Sequence, residues 1–443
     1  MAGRSVARVT DTRRLVGSAM HRLRTVEPEG DDADLAPLGA IIGDARVVAL
    51  GESMHRVHEF LALRGRVWRH LQREHGFTAI AIESGFAEAL LVQRWLDGDA
   101  SGGFEHVLRA GMTYHFGACE ESALLVESMR AQSHRGRAAR FHGLDVGASG
   151  AGGPRPIQEI LNLLLVVDPG YAAVVRDKLL PLFDYLPADE GGIAWAAPAL
   201  HAYLALPQER RESLTAGIAR LATRIDALWP QYAEAAGEEV AWTLRRLADT
   251  ARMGDGFLTA MVERQAGGIT PSSARDALMA RNVEALLERH ERVLVVAANG
   301  HIQRSPMLAP PYVNEAFPTM GGHLAAALGD DYVALATTFG SGEVWLHRPE
   351  PGGRPGHSVP FTDWIDAAAP RSLDALLAQP AIPYGLVSWR DRDEQDPLVH
   401  LLDETTSTMN GDGEILSSPR TAFDGAFHID HITPWRTWLT DEG

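Results

Sequence analysis

The chain has 443 residues, 45% of them hydrophobic and 22% charged, with a formal net charge of -17. That length exceeds the roughly 250 to 300 residues at which a single core stops growing, so one core with a large insertion, or two domains, is expected. The balance is that of an ordinary globular protein, and the acidity has the wrong sign for neutralising nucleic-acid phosphates or binding an anionic membrane.

Cys119 is the single cysteine, which excludes an intrachain disulfide or a cysteine-based zinc cluster and points to a reducing compartment. A lone thiol of this kind reads as a small buried apolar residue. The first residues carry arginines but no apolar stretch ahead of a small-residue cleavage site, so they do not read as a signal peptide. The longest apolar run, near residues 160–167, is far short of the roughly 20 residues that span a bilayer. A cytoplasmic enzyme is expected.

Four runs rich in Val, Ile and Ala, at 46–50, 78–82, 139–144 and 292–298, read as strands buried on both faces, the pattern of a parallel sheet. Between the first two, Phe60, Leu61, Arg64, Val67, Trp68 and Leu71 follow helical spacing and Gly76 supplies a stop. One strand–helix–strand unit with a right-handed crossover is expected there. From about 147 a Gly/Pro-rich link, GASGAGGPRP, leads into Ala-, Leu- and Arg-rich stretches with helical patterning and no strand, up to about 275. This reads as an all-helical lid inserted over the sheet. The expected class is α/β, a mostly parallel central sheet flanked by helices. Residues 1–146 and 276–443 form the two parts of the core and 147–275 the lid. From Tyr332 onward, strand-like runs mix with polar loops.

In an open parallel sheet, ligands bind beyond the carboxyl ends of the strands, where loops converge and helix N-termini present their N–H groups. The first expected strand leads into Glu52, Ser53 and His55, the second into Glu83, the third into Asp145, and the fourth into Asn299 and His301. Singly, each has a plain structural role open to it, as a helix cap, a turn residue or a packed histidine. Gathered at one end of a sheet, they shift one another's ionisation and repel unless something uses them, which marks a catalytic cleft.

GxSxG, HExxH and Walker A patterns are absent, and GASGAGG lacks the GxGxxG register, so serine-elbow, zincin, nucleoside-triphosphatase and dinucleotide chemistry fit poorly. Ser53 is the weak alternative nucleophile. The HIDH run, with His428 and His431, is a weak metal signal on its own. Water chemistry remains. A histidine takes a proton from water, a carboxylate fixes its tautomer, and a second histidine or an arginine stabilises the oxyanion of an ester. His55 with Glu52 or Glu83, and His301 opposite, fit those roles.

The block GESMHRVHEFLALRGRVWRHLQREHGFTAIAIESG resembles the signature of the erythromycin esterase family: a Gly-Glu, a His three after the Glu, Glu-Phe, an Arg, then an apolar strand ending in Glu. Glu52, His55, Glu59, Phe60, Arg64 and Glu83 match it in order. RDALMARN, ANGHIQR, GGHLAAALGDDYVALATTFGSGE and FDGAFHIDHITP extend the match; the helical stretch shows no matching motif. The resemblance implies an α/β core with a helical lid, and hydrolysis of a macrolide lactone by activated water rather than through an acyl-enzyme. By position it implies His55 as general base, Glu52 and Glu83 as its carboxylate partners, and His301 as the second essential histidine. Arg64, Arg275, Asp145 and Asn299 are the candidates for contacting substrate.

The expected partner is a small-molecule cyclic ester, with neither nucleic acid nor membrane, and the sequence leaves the oligomeric state open. No cofactor and no tightly held metal is expected, although related folds hold a metal with similarly placed groups and a divalent ion on these N and O donors is the alternative. Two other functions compete: a biosynthetic tailoring or cyclisation step on a polyketide-like cyclic ester, and a retired enzyme that only binds an apolar ligand. The lid is expected to wall the cleft, with Trp195, Tyr203, Trp229, Trp242 and Phe257 supplying apolar contacts.

Overall fold

The computed structural model describes residues 2–99, 102–137, 139–147, 153–186, 192–263, 269–349, 358–366 and 368–439, and the backbone alone at 2–10, 192–197, 347, 349 and 358. The strands are β1 (His21–Arg22), β2 (Val47–Glu52), β3 (Ala79–Gly85), β4 (Arg140–Asp145), β5 (Val293–Ala298), β6 (Met307–Ala309), β7 (Val313–Phe317), β8 (Tyr332–Pro349), β9 (Ser358–Ile365), β10 (Tyr384–Ser388), β11 (Ser407–Asn410), β12 (Gly413–Leu416) and β13 (Gly425–Ile432). Nine of them make one sheet in the order β1-β10-β13-β8-β2-β5-β3-β4, with β9 paired to β8. β13, β8, β2, β5, β3 and β4 are mutually parallel, and β10 and β1 add an antiparallel edge. β6 with β7, and β11 with β12, form separate hairpins.

The fold is therefore α/β with a mostly parallel sheet, as expected, and the four expected strands are β2 to β5. Their order carries one difference. β5 lies between β2 and β3, with Val293 in register with both Val47 and Ala79. The helix His58–His75 thus links two strands that are not neighbours. It ends where Gly76 takes φ 70° and its N–H returns to the Leu71 carbonyl, the left-handed cap that glycine adopts at least cost.

Alternate residues of each central strand enter opposite cores, because successive side chains of a strand point to opposite faces. Val47, Ala49, Ala79, Ala81, Val293, Val295, Ala334 and Ala336 belong to one cluster, together with Ile157, Ile160, Leu247, Met279 and Val283 from helices. Val48, Leu50, Ile80, Ile82, Leu294, Val296, Val333 and Leu335 belong to the other, with Phe60, Val67, Trp68, Leu71, Val126 and Met129. Each large apolar side chain so buried contributes about 1.5–3 kcal/mol.

The helices Arg155–Val167, Pro169–Val174, Gly192–Leu204, Gln208–Ala236, Glu238–Glu263 and Pro271–Leu286 follow one another with no strand among the described residues. They share the first cluster with the sheet, so this helical run covers a sheet face. No described helix is long and apolar enough to cross a membrane.

Candidate active site

At the end of β2, Glu52 is 5% exposed and its Oε1 lies 2.5 Å from His55 Nδ1. Its Oε2 accepts from Arg64 Nη2 at 3.1 Å, in the second turn of the following helix. The carboxylate is thus held from behind while the imidazole, with 36% of its side chain exposed, faces the cleft. Gly51 permits this crowding: a Cβ there would collide with Asn299 Oδ1.

The ends of β3 and β4 converge on Arg275. Its Nε donates to both oxygens of Asp145 at 2.9 and 3.0 Å, and its Nη2 donates to Glu83 Oε1 at 2.8 Å. Glu83 Oε2 accepts the Ala298 N–H at 2.8 Å, at the end of β5. Burial pushes the Glu83 carboxyl up, but the charge and hydrogen bond of His301, with Arg275 and His55, outweigh it and hold Glu83 well below the usual carboxylate range.

His301 follows β5 in the short helix Asn299–Ile302. Its Nδ1 meets both oxygens of Asp276 at 2.9 and 3.0 Å, and its Nε2 lies 3.3 Å from Glu83 Oε1 and 3.0 Å from Arg275 Nη1. Burial alone would drive the proton off, yet Asp276 and Glu83 raise the imidazole to about 10. The two carboxylates thus favour the protonated imidazole, while Arg275 Nη1, a donor 3.0 Å from Nε2, works against it.

Glu83, Arg275, Ala298, Gly300 and the two histidines line a cavity of about 210 Å³, completed by Tyr114, Phe116, Met307 and Asn410. The loop bearing Tyr114 is tied to β3: Thr113 N donates to Ser84 Oγ at 2.9 Å, and Gly85 N to Thr113 Oγ1 at 3.1 Å. The β11–β12 hairpin docks through Gly411 N to Ser53 O at 2.7 Å. Phe116 packs on His55 at 5.1 Å between ring centroids. Arg56 and Tyr114 adopt φ of 64° and 59°, a left-handed conformation costing about 1–2 kcal/mol each. Arg56 Nη2 donates to the Tyr114 carbonyl at 3.3 Å, and its guanidinium lies 5.6 Å from both the Trp345 and Trp435 rings. That buried contact joins the loop after His55 to the loop before Phe116.

Of the eight expected site residues, His55, Glu83, Arg275 and His301 line the cavity, and Glu52 sits directly behind His55. The other three, expected as substrate contacts, do not line the cavity. Arg64 is 5% exposed and spent on Glu52. Asp145 is fully buried on Arg275. Asn299, also fully buried, exchanges both amide hydrogen bonds with Thr337 and ties β5 to β8. Four residues without a strand-exit signal complete the walls: Tyr114, Phe116, Met307 and Asn410. Asp276, beside Arg275 in RDALMARN, is the unexpected partner of His301. Glu59 accepts from Thr433 N and Oγ1 at 2.8 and 2.7 Å, holding the chain after β13.

Among the described residues, none of the expected lid aromatics lines this cavity. Tyr203 and Trp242 are buried in the helical core at 1% and 8% exposure. Trp229 packs against that core, and Phe257 lines a different hollow. The Trp195 side chain lies outside the described residues. Ser53 and Cys119 are fully buried, and burial pushes the Cys119 thiol up to about 12, so neither is a nucleophile. His428 is buried against Thr338 Oγ1 at 2.9 Å, whereas His431 is exposed beside Trp364. Among the described residues no three of His, Cys, Asp and Glu converge as metal ligands. A larger hollow of about 620 Å³ is lined by Asp31, Asp32, Arg69, Arg73 and Arg135; it holds no histidine, and Arg73 is already paired with Asp32 at 2.5 Å.

The sequence pattern of the family "Erythromycin esterase" matches residues 72–432. The chain is 31% identical over 415 residues to an erythromycin esterase type II of Escherichia coli, covering 91% of this chain and 93% of the relative. It is 26% identical over 355 residues to an erythromycin esterase type I of Escherichia coli, covering 77% and 81% respectively. The fold is similar to that of an erythromycin esterase mutant, EreC, in its open conformation, with TM-score 0.75 and 20% identity over 94% of this chain and 98% of that one. With the motif residues brought to one end of the sheet and the pattern matched over most of its length, the chain belongs to the erythromycin esterase family.

Proposed function

We propose that the chain hydrolyses the ring ester of a macrolide or another lactone with a water molecule that His55 deprotonates. The observation that carries this reading is the His55–Glu52 contact of 2.5 Å at the mouth of the cavity. A carboxylate only accepts, so Nδ1 carries the shared proton and Nε2 is left as the lone-pair nitrogen on the cleft side. As the water oxygen attacks the ester carbonyl, its proton passes to Nε2. The oxyanion forms beside Arg275 and His301, and the ring C–O bond then breaks, with the departing alkoxide taking the proton back from Nε2. The product is a ring-opened hydroxy acid, and no acyl-enzyme forms.

A positioned base is worth roughly 10²–10⁴ in rate and one oxyanion donor roughly 10²–10³. His55 fits the first role and the positive charge of Arg275 beside His301 supports the second, and the sequence relatives are themselves erythromycin esterases. Mass spectrometry of a macrolide incubated with the protein tests the reading. A product heavier by one water, with its new carboxylate oxygen taken from labelled solvent, supports hydrolysis. An isomer of unchanged mass would point to a tailoring or cyclisation reaction instead, and unaltered ligand to binding alone.

A further inference from the structure

The cavity beside His55 and His301 holds about 210 Å³, less than the roughly 300–1,000 Å³ of pockets that enclose a drug-sized ligand. A macrocyclic ester whose carbonyl reaches Nε2 of His55 must project beyond it. A second hollow, of about 130 Å³, lies where Phe257 and Met261 of the helix Glu238–Glu263 approach Pro271 and Ser272 of the next helix and Phe317 of β7.

Two links place these hollows side by side. Met307, a wall of the first, is the direct cross-strand partner of Phe317, a wall of the second, and such partners have Cβ atoms about 4.5–5.5 Å apart on one face. Arg275 in the first follows Pro271 and Ser272 of the second by four and three residues on one helix, the spacing that stacks side chains on a common surface. At the lip, Tyr312 is 80% exposed, and Ile269, adjoining the lining Thr270, is 65% exposed. Tyr312, which lines the hollow, thus adds exposed apolar surface at its edge.

We propose that the second hollow, built from Phe257, Met261 and Phe317 and overhung by Tyr312, is the subsite for the apolar part of the substrate ring remote from the ester. This rests on the lactone-hydrolase reading and adds a source of selectivity to it. Small esters reach only the first cavity, whereas a large apolar ring occupies both and draws binding energy from contacts far from the reacting carbon.

The test compares hydrolysis of a macrolide lactone with that of phenyl acetate by the full chain and by Tyr312→Ala, Phe257→Ala and the double variant. Selectivity, as the ratio of kcat/KM values, is expected to fall about tenfold or more in the double variant, the usual effect of truncating buried aromatic contacts, through a raised KM for the macrolide. Tyr312→Ala alone gives the same direction without risk to the core, since that side chain is exposed. Unchanged selectivity in all three variants, with macrolide turnover intact in the parent, would overturn the subsite and leave the hydrolase reading standing. A parent protein that cleaves phenyl acetate but no macrolide would overturn the subsite and confine the hydrolase reading to other lactones.

Discussion

Asp276 receives the Nδ1 edge of His301 between its two oxygens, at 2.9 and 3.0 Å, from a position with no solvent exposure. One of those oxygens also accepts the Met320 N–H at 2.8 Å. Asp276 therefore orients the imidazole and, with Glu83, favours its charged form. Because the folded-state value, about 10, lies above the ordinary 6.5, the stability that this charge provides is complete below pH 6.5 and is lost as pH rises through 10.

Asp276→Asn keeps the hydrogen-bond geometry and removes the charge. It is expected to lower kcat by roughly 10- to 100-fold, less than the loss of an oxyanion donor at its upper range, and to move the alkaline limb of kcat to lower pH. A pH–rate profile distinguishes this from simple damage: an unshifted limb with reduced kcat would show that Asp276 does not hold the His301 proton.

The acid side is set differently. His428 has no exposure, and burial alone pushes its imidazole down to about 3. The unfolded chain takes up this proton below pH 6.5 while the folded chain does not, so stability falls as pH drops from 6.5 toward 3. At pH 5 this costs about 2 kcal/mol. Thermal unfolding between pH 8 and 5 is expected to show a shallower decline for His428→Leu than for the parent, and parallel declines would contradict the assignment.

Arg64 and Glu52 form a buried pair, with 6% and 7% of their side chains exposed. Removing one member of such a pair costs about 3–5 kcal/mol because the other charge is left uncompensated. Arg64→Ala should therefore lower both thermal stability and kcat, with Arg64→Lys milder in each. A variant with unchanged melting temperature would show that the pair is not held as described.

How far the site could be read from sequence depended on where each residue sits. β2, β3 and β5 are buried on both faces, so Val47, Val48, Ile80, Ile82, Val295 and Val296 form continuous apolar runs, and their exits delivered Glu52, His55, Glu83 and His301. The position of β5 between β2 and β3 has no local signal, since it depends on packing between segments far apart in sequence. Asp276 was missed because it lies in the second turn of a helix, where an aspartate beside an arginine looks like ordinary surface charge. Tyr114, Phe116, Met307 and Asn410 reach the cavity from loops and hairpins without periodicity. The lid aromatics misled for the opposite reason: Tyr203 and Trp242 lie on amphipathic helices whose apolar faces are consumed by the core.

Activity is expected to survive exhaustive chelation. The carboxylates that a divalent ion would need are already engaged, Glu52 by His55 and Arg64, and Glu83 by Arg275 and the Ala298 N–H. Loss of turnover on chelation, restored by zinc or manganese, would overturn the metal-free mechanism.

Turnover of a macrolide by His55→Ala decides whether His55 is the base. The side chain is partly exposed at the mouth of the cavity, so its loss opens no sealed core void of the kind that costs several kcal/mol, and the variant should fold and still bind substrate. With His55 as the base, kcat is expected to fall by roughly 100- to 10,000-fold with KM little changed. A folded His55→Ala protein that opens the ring at the parent rate would contradict that assignment.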